Sequence, residues 1–339
     1  MSDVGIEAGN VVVGCVVDVA GIPVRLHADD ARHADAVASL FRHATRSTDA
    51  PVATLWFGAD DVTLPTTEPD THGVSADLWR PATGELIIRS AEGLTARADA
   101  DAIVVGGDTG AIARVFRFTC FLALTHLLAQ HGRHLLHAGA ILVDGRVVVV
   151  LGDTGSGKST LVYAAHRQGW PVLSDDVIAL HRAGDELVVQ GLPRPVSVPR
   201  DVAEAVPGGR PVPEDHRERS ELPLGTLTLD AHSVDAVLVM AGDDPDRDAT
   251  LPSDIAPGAV EPLRGQATLR AALRAGPSLT DPDHRPEMLA IAAALARRPA
   301  WRLRHGPDPA RAAADATTLL RTVRTRLEDH PRPPFEDSS

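Results

Sequence analysis

The stretch Val147-Val148-Val149-Val150-Leu151-Gly152-Asp153-Thr154-Gly155-Ser156-Gly157-Lys158-Ser159-Thr160-Leu161 decides the fold. Its first five residues form an unbroken, mostly β-branched apolar run, the pattern of a strand buried on both faces. The next nine fit the spacing G-x-x-x-x-G-K-[ST], after which Leu161, Val162 and Ala165 set a helical period. Strand, glycine-rich turn and helix in that order make a phosphate-binding loop. The glycines let the backbone curl so that its N–H groups point inward, and the positive end of the helix adds to the attraction. Gly152, Asp153, Thr154, Gly155, Ser156, Gly157, Lys158, Ser159 and Thr160 are thus the expected binding residues for ATP with Mg2+. Lys158 is expected to neutralise the β- and γ-phosphate oxygens, and Ser159 to ligate the metal. Asp153 and Thr154 are expected to shape the loop and face solvent. The earlier Gly106-Gly107-Asp108-Thr109-Gly110 lacks the lysine and reads as a turn before a helix.

Working outward, the pattern predicts strands over Leu135–Val143 and Arg146–Leu151, joined by the hairpin signal Asp144-Gly145. It predicts a helix over Gly157–Gln168 that stops at Gly169, a left-handed cap. His137 stands at the start of the strand before the loop; Asp175 and Asp176 close Pro171-Val172-Leu173-Ser174-Asp175-Asp176, after the loop's helix. In a three-layer α/β domain such strand ends converge on the ligand. His137 reaches it only if its strand runs antiparallel to the loop's strand, which the hairpin permits. Phosphoryl transfer to an alcohol needs one carboxylate to orient the hydroxyl and take its proton, another to hold Mg2+, and a cation or donor on the transferring group. His137, Lys158, Asp175 and Asp176 are the catalytic candidates. Ser159 and Asp176 are the expected metal ligands, although which aspartate is the base stays open. No ABC-type signature or GTPase base-recognition motif is visible.

His137, the hairpin, the loop with Lys158 and the segment Gly169–Asp176 together resemble the C-terminal domain of HPr kinase/phosphorylase, over about residues 134 to 182. The resemblance implies a P-loop kinase domain related in fold to phosphoenolpyruvate carboxykinase, which phosphorylates a serine hydroxyl using ATP and Mg2+. By position it implies Lys158 on phosphate, Ser159 on Mg2+, one of Asp175 and Asp176 as base, and His137 assisting. That family's Glu-Ile-Arg-Gly segment has no counterpart between Pro193 and Gly225. The chain therefore looks more like the divergent HPr kinase-like proteins of peptide-modification systems, including lasso-peptide tailoring kinases. The resemblance also implies oligomers.

The rest of the chain reads as a strand-rich α+β N-terminal region over 1–107, the kinase-like domain over 108–330 with a helical C-terminus, and a disordered tail over 331–339. Strands are predicted at Val11–Val17, Ile22–Leu26, Val52–Phe57, Glu85–Arg89 and Ala102–Val105. Helices are predicted over Asp30–Ala44, from Asp108 or Thr109 to Gln130, and over Gln266–Arg274, Pro286–Arg297 and Asp308–Leu327. Pro207–Pro223 and Ala241–Gly258 read as loops.

Apolar residues at 44% and charged residues at 23% place the 339-residue chain among globular proteins rather than disordered ones. A net charge of -13 excludes a general grip on nucleic acid, which needs clustered cations. No apolar run approaches the roughly 20 residues that span a bilayer, and no secretory signal is visible, so the expectation is a cytoplasmic protein. Cys15 and Cys120 show no metal-like spacing. The expected activity is ATP-dependent phosphorylation of a Ser or Thr hydroxyl on a peptide or small protein. The alternatives are a kinase of a small-molecule alcohol and a nucleotide-binding regulator that transfers nothing.

Overall fold

The computed structural model describes residues 14–29, 31–41, 44–58, 62–72, 76–107, 121–153, 155–192, 197–199, 210–211, 219–221, 229–241, 259–276, 284–303 and 309–330. The chain is a mixed α/β protein that divides into two compact units. Unit 1 is Met1–Leu135 with Leu192–Arg194, and unit 2 is Leu136–Gly191 with Pro195–Ser339. Among the described residues no helix is long and apolar enough to cross a membrane.

Unit 1 contains β1 (Val16–Val19), β2 (Ile22–Ala28), α1 (Ala31–Phe41), β3 (Ala53–Gly58), β4 (Thr71–His72), β5 (Ala76–Trp79), β6 (Leu86–Ser90), β7 (Thr95–Ala98), β8 (Ala102–Gly106) and a helix α2 over residues 121–130. Its strands form one sheet in the order β1-β2-β3-β8-β7-β6-β5-β4. Strands β2, β3 and β8 are parallel, and α1 makes the crossover between the first two. Alternation writes this sheet: Ile22, Val24 and Leu26 are buried along β2, while Arg25 between them is exposed. The short strands β4, β5 and β7 were not anticipated, because Thr95-Ala96-Arg97-Ala98 and its like carry little β-branched signal and are recruited by their neighbours. The expected helix start at Asp108 or Thr109, the strand start at Val11, the tail 331–339 and most of the two loop stretches lie outside the described residues.

Unit 2 continues with β9 (His134–Leu136), inside which the division between the units falls, then β10 (Gly139–Val143), β11 (Arg146–Leu151), α3 (Lys158–Arg167), β12 (Val172–Ser174), β13 (Ile178–Ala183) and β14 (Glu186–Gly191). After these come β15 (Ser197–Pro199), β16 (Arg210–Pro211), β17 (Arg219–Glu221), β18 (His232–Met240), β19 (Val260–Pro262), α4 (Gly265–Ala275), α5 (Arg285–Ala296), β20 (Ala300–Leu303) and α6 (Pro309–Glu328). The main sheet runs β12-β10-β11-β18-β14-β13-β9, with β20 pairing the second half of β18 and β19 pairing β20. Two corrections stand out. The single strand expected over Leu135–Val143 is broken at His137 and Ala138 into β9 and β10, and part of Pro207–Pro223 forms β16 and β17 of a small sheet with β15.

The valine run is central, as its composition demands. Val147, Val149 and Leu151 enter a core with α4 and α5, whereas Val148 and Val150 enter the opposite core with α3 and α6. That makes three layers, helices on both faces of one sheet. The hairpin is the expected tight turn, with Asp144 and Gly145 both at positive φ, 50° and 78°. Strand β10 runs antiparallel to β11 and pairs Gly139 with Val150, while β12 runs antiparallel to β10 and pairs Ser174 with Ala140. The end of β11, the start of β10 and the end of β12 therefore lie on one edge of the sheet.

Candidate functional site

That edge carries the loop. Gly157, at φ 93°, precedes the first turn of α3 in a left-handed conformation, and Leu161 N donates to Gly157 O at 3.0 Å. Within the loop Ser156 N donates to Asp153 O at 3.1 Å. Gly152 has no room for a side chain. A Cβ there would lie 2.5 Å from Ser156 Oγ and 2.9 Å from Met240 Cβ, and its φ of 148° is one that other residues rarely adopt. Ser156 Oγ is buried and has no hydrogen-bond partner among the described residues. A buried hydroxyl with nothing to bind costs free energy that a ligand oxygen would recover. Thr154 lies outside the described residues; Gly155 is exposed, and Ser159 and Thr160 are partly exposed on the first turn of α3.

Lys158 is 5% exposed, and its ammonium donates to Gly152 O at 2.6 Å, Asp153 O at 3.1 Å and His137 Nε2 at 3.2 Å. His137 in turn meets Asp176 Oδ1 through Nδ1 at 3.1 Å. A protonated lysine has only hydrogens to give, so Nε2 accepts and Nδ1 carries the hydrogen that meets the carboxylate. The result is a chain Lys158–His137–Asp176, drawn from the first residue of α3, the link before β10 and the residues after β12. His137 is fixed from behind, its N–H donating to Ala275 O at the end of α4 at 2.7 Å. The aspartate pair is held by Ser174 Oγ, which accepts from Asp176 N at 3.3 Å and Val177 N at 3.2 Å. Asp176 has 45% of its side chain exposed, whereas Asp175 is buried at 3%.

Close packing draws these strand ends together. A Cβ on Gly139 would lie 2.9 Å from Val162 Cγ2 and 3.3 Å from Ser174 O, so only glycine lets β10 approach α3 and β12 this closely. Sequence reasoning missed Arg274. Its Nη2 lies 3.1 Å from Asp153 Oδ2, so Asp153, expected to shape the loop and face solvent, is also paired, with 41% of its side chain exposed. The two residues are 121 positions apart, and no local spacing could have announced them. Among the described residues no three His, Cys, Asp or Glu side chains gather as a metal cluster. A divalent ion held here through Ser159 and one aspartate would complete its shell with phosphate oxygens and water, the usual habit of Mg2+.

No family model matches the chain, and no curated protein matches it. Among solved structures it is similar to the HPr(Ser) kinase/phosphatase from Coxiella burnetii. Identity is 16%, the match covers 57% of this chain and 93% of that one, and the TM-score is 0.32.

Proposed function

We propose that unit 2 is an ATP- and Mg2+-dependent kinase that transfers the γ-phosphoryl group to a Ser or Thr hydroxyl of a peptide or small protein. The observation that carries this reading is the Lys158–His137–Asp176 chain on the phosphate loop, with distances of 3.2 and 3.1 Å. The buried Ser156 hydroxyl, unpartnered among the described residues, and the side-chain-free cradle at Gly152 suit a bound phosphate chain. Lys158 would exchange its loop carbonyls for β- and γ-phosphate oxygens, and Ser159 would hold Mg2+, which supplies charge neutralisation to those oxygens.

Once Lys158 has turned to phosphate, His137 Nε2 is released beside the transferring group. The acceptor oxygen bonds to the γ-phosphorus as the bond to the β-phosphate bridging oxygen breaks. The hydroxyl proton passes to the His137–Asp176 pair, and ADP leaves. We assign the proton to this pair rather than to Asp175 because Asp176 is half-exposed and Asp175 is closed to an incoming acceptor. The competing assignment, Asp176 as the metal ligand beside Ser159, is separated by an Mg2+ titration of Asp176→Asn. Recovery of transfer at high Mg2+ marks a metal ligand, and loss at every concentration marks a proton acceptor.

The test of the activity is γ-phosphate-labelled ATP offered with Mg2+ to wild type and Lys158→Ala, together with a Ser- and Thr-containing peptide pool and, separately, a metabolite pool. Label on peptide with wild type alone is expected. Label on metabolites alone would replace the peptide acceptor with a small-molecule alcohol. Nucleotide binding with no transfer to either would move the protein to the regulatory class.

A further inference from the structure

We propose that Arg274 is a positioning residue of the phosphate loop: its guanidinium holds the Asp153 carboxylate and cancels its charge, so that a loop with an acid at its second position still accepts a polyanion. This rests on the nucleotide reading above. Asp153 is tied at three points. Its carboxylate meets Arg274 at 3.1 Å, and its carbonyl oxygen accepts from Lys158 Nζ at 3.1 Å and from Ser156 N at 3.1 Å. The Lys158 and Ser156 bonds hold the loop backbone at Asp153 independently of its side chain, so what the Arg274 contact governs is the direction and charge of the carboxylate.

The charge argument is independent of the geometry. A triphosphate brings several negative charges to the loop, and an uncompensated carboxylate within it repels them through a partly desolvated medium. Arg274 comes from a rigid element. Ala271, Ala272 and Ala275 of α4 are in the core, and a Cβ on Gly265 at its start would lie 2.7 Å from Ala296 O, so α4 sits hard against the end of α5. The same last turn receives the His137 N–H on Ala275 O. Both sides of the site, loop and histidine, are thus referenced to one helix end. The pair is itself half-exposed, 36% at Arg274 and 41% at Asp153, so its contribution to folding is small and its effect falls on the ligand.

The test is calorimetric titration of MgATP into full-length wild type, Arg274→Ala, Arg274→Lys, and Arg274→Ala combined with Asp153→Asn, each at low and high salt. Thermal unfolding serves as a control for the fold, and Arg274→Gln replaces the alanine variant if that variant does not fold. Arg274→Ala is expected to weaken binding about tenfold at low salt and less at high salt, because the repulsion it unmasks is screened. Arg274→Lys keeps the charge and stays within about threefold of wild type. Adding Asp153→Asn removes the unmasked charge and returns affinity to within about threefold of wild type. Unchanged binding by Arg274→Ala overturns the inference alone, and so does failure of the double variant to recover, which would mean that Arg274 meets the ligand itself or acts through the fold. A wild-type protein that binds no MgATP overturns the nucleotide reading, and this inference with it.

Discussion

At the scale of single residues, His137 is the junction of the site. Lysine on one ring nitrogen and aspartate on the other fix its tautomer and its plane. His137→Ala is expected to lower phosphoryl transfer roughly 100- to 1,000-fold while MgATP affinity changes little, a split that single-turnover assays and titration calorimetry read separately. Gly152→Ala should behave differently. The added methyl meets Ser156 Oγ and Met240, both in packed surroundings, so nucleotide affinity itself should collapse in the same titration. The loop motif was legible because its geometry needs those residue types in that order. The Asp153–Arg274 pair was not, since nothing in either local sequence encodes a partner 121 residues away.

At the scale of elements, strand direction decides the site more than residue type does. The hairpin turns β10 back along β11, so the residues before β10 arrive beside the loop, and β12 runs the same way as β11, so its last residues arrive there too. Gly139 is the contact that lets these strands and α3 close up, and Gly139→Ala should cost about 1–3 kcal/mol of stability by overpacking, as measured by urea unfolding. Helix α6 offers a second test. Arg146 Nη1 donates to Leu327 O and His330 O, satisfying carbonyls at the helix end. Arg146→Ala should fray that end, at a cost of about 1 kcal/mol, with faster amide hydrogen exchange over residues 324–330. The break that splits the expected Leu135–Val143 strand also belongs to this scale. An apolar run cannot show where a chain leaves one strand position and enters another, and here it does so at His137, which puts the ring at an element end rather than inside a ladder.

For the whole molecule, each unit has its own acid-sensitive group. In unit 2 the His166 pKa lies below its ordinary value, first because of burial and then because of Arg167 beside it. The unfolded chain therefore binds more protons than the folded one between that lowered pKa and about 6.5, so stability rises with pH through this window and is lost as pH falls through it. In unit 1 the Asp77 carboxyl is held below the usual range by hydrogen bonds from Arg89 and His72, and the stability it contributes is lost lower down, as pH falls from about 3.9 through the folded value. Thermal midpoints across pH 3 to 8 should fall on acidification, and His166→Asn should flatten the upper limb while leaving the lower one, whereas Arg89→Ala should flatten the lower. What the sequence determined by itself was local: a five-residue apolar run followed by a glycine-spaced turn and a helix specifies a buried strand, a tight glycine-rich loop and the helix after it through contacts among near neighbours. The sequence also pointed to His137 and Asp176 beside Lys158 on condition of strand direction; tertiary structure supplied that direction and decided alone that Arg274 meets the loop. Strand order and direction bring His137 and Asp176 to Lys158, and the packing of α4 brings Arg274 to Asp153, because such proximity depends on how whole elements stack rather than on any residue's own propensity.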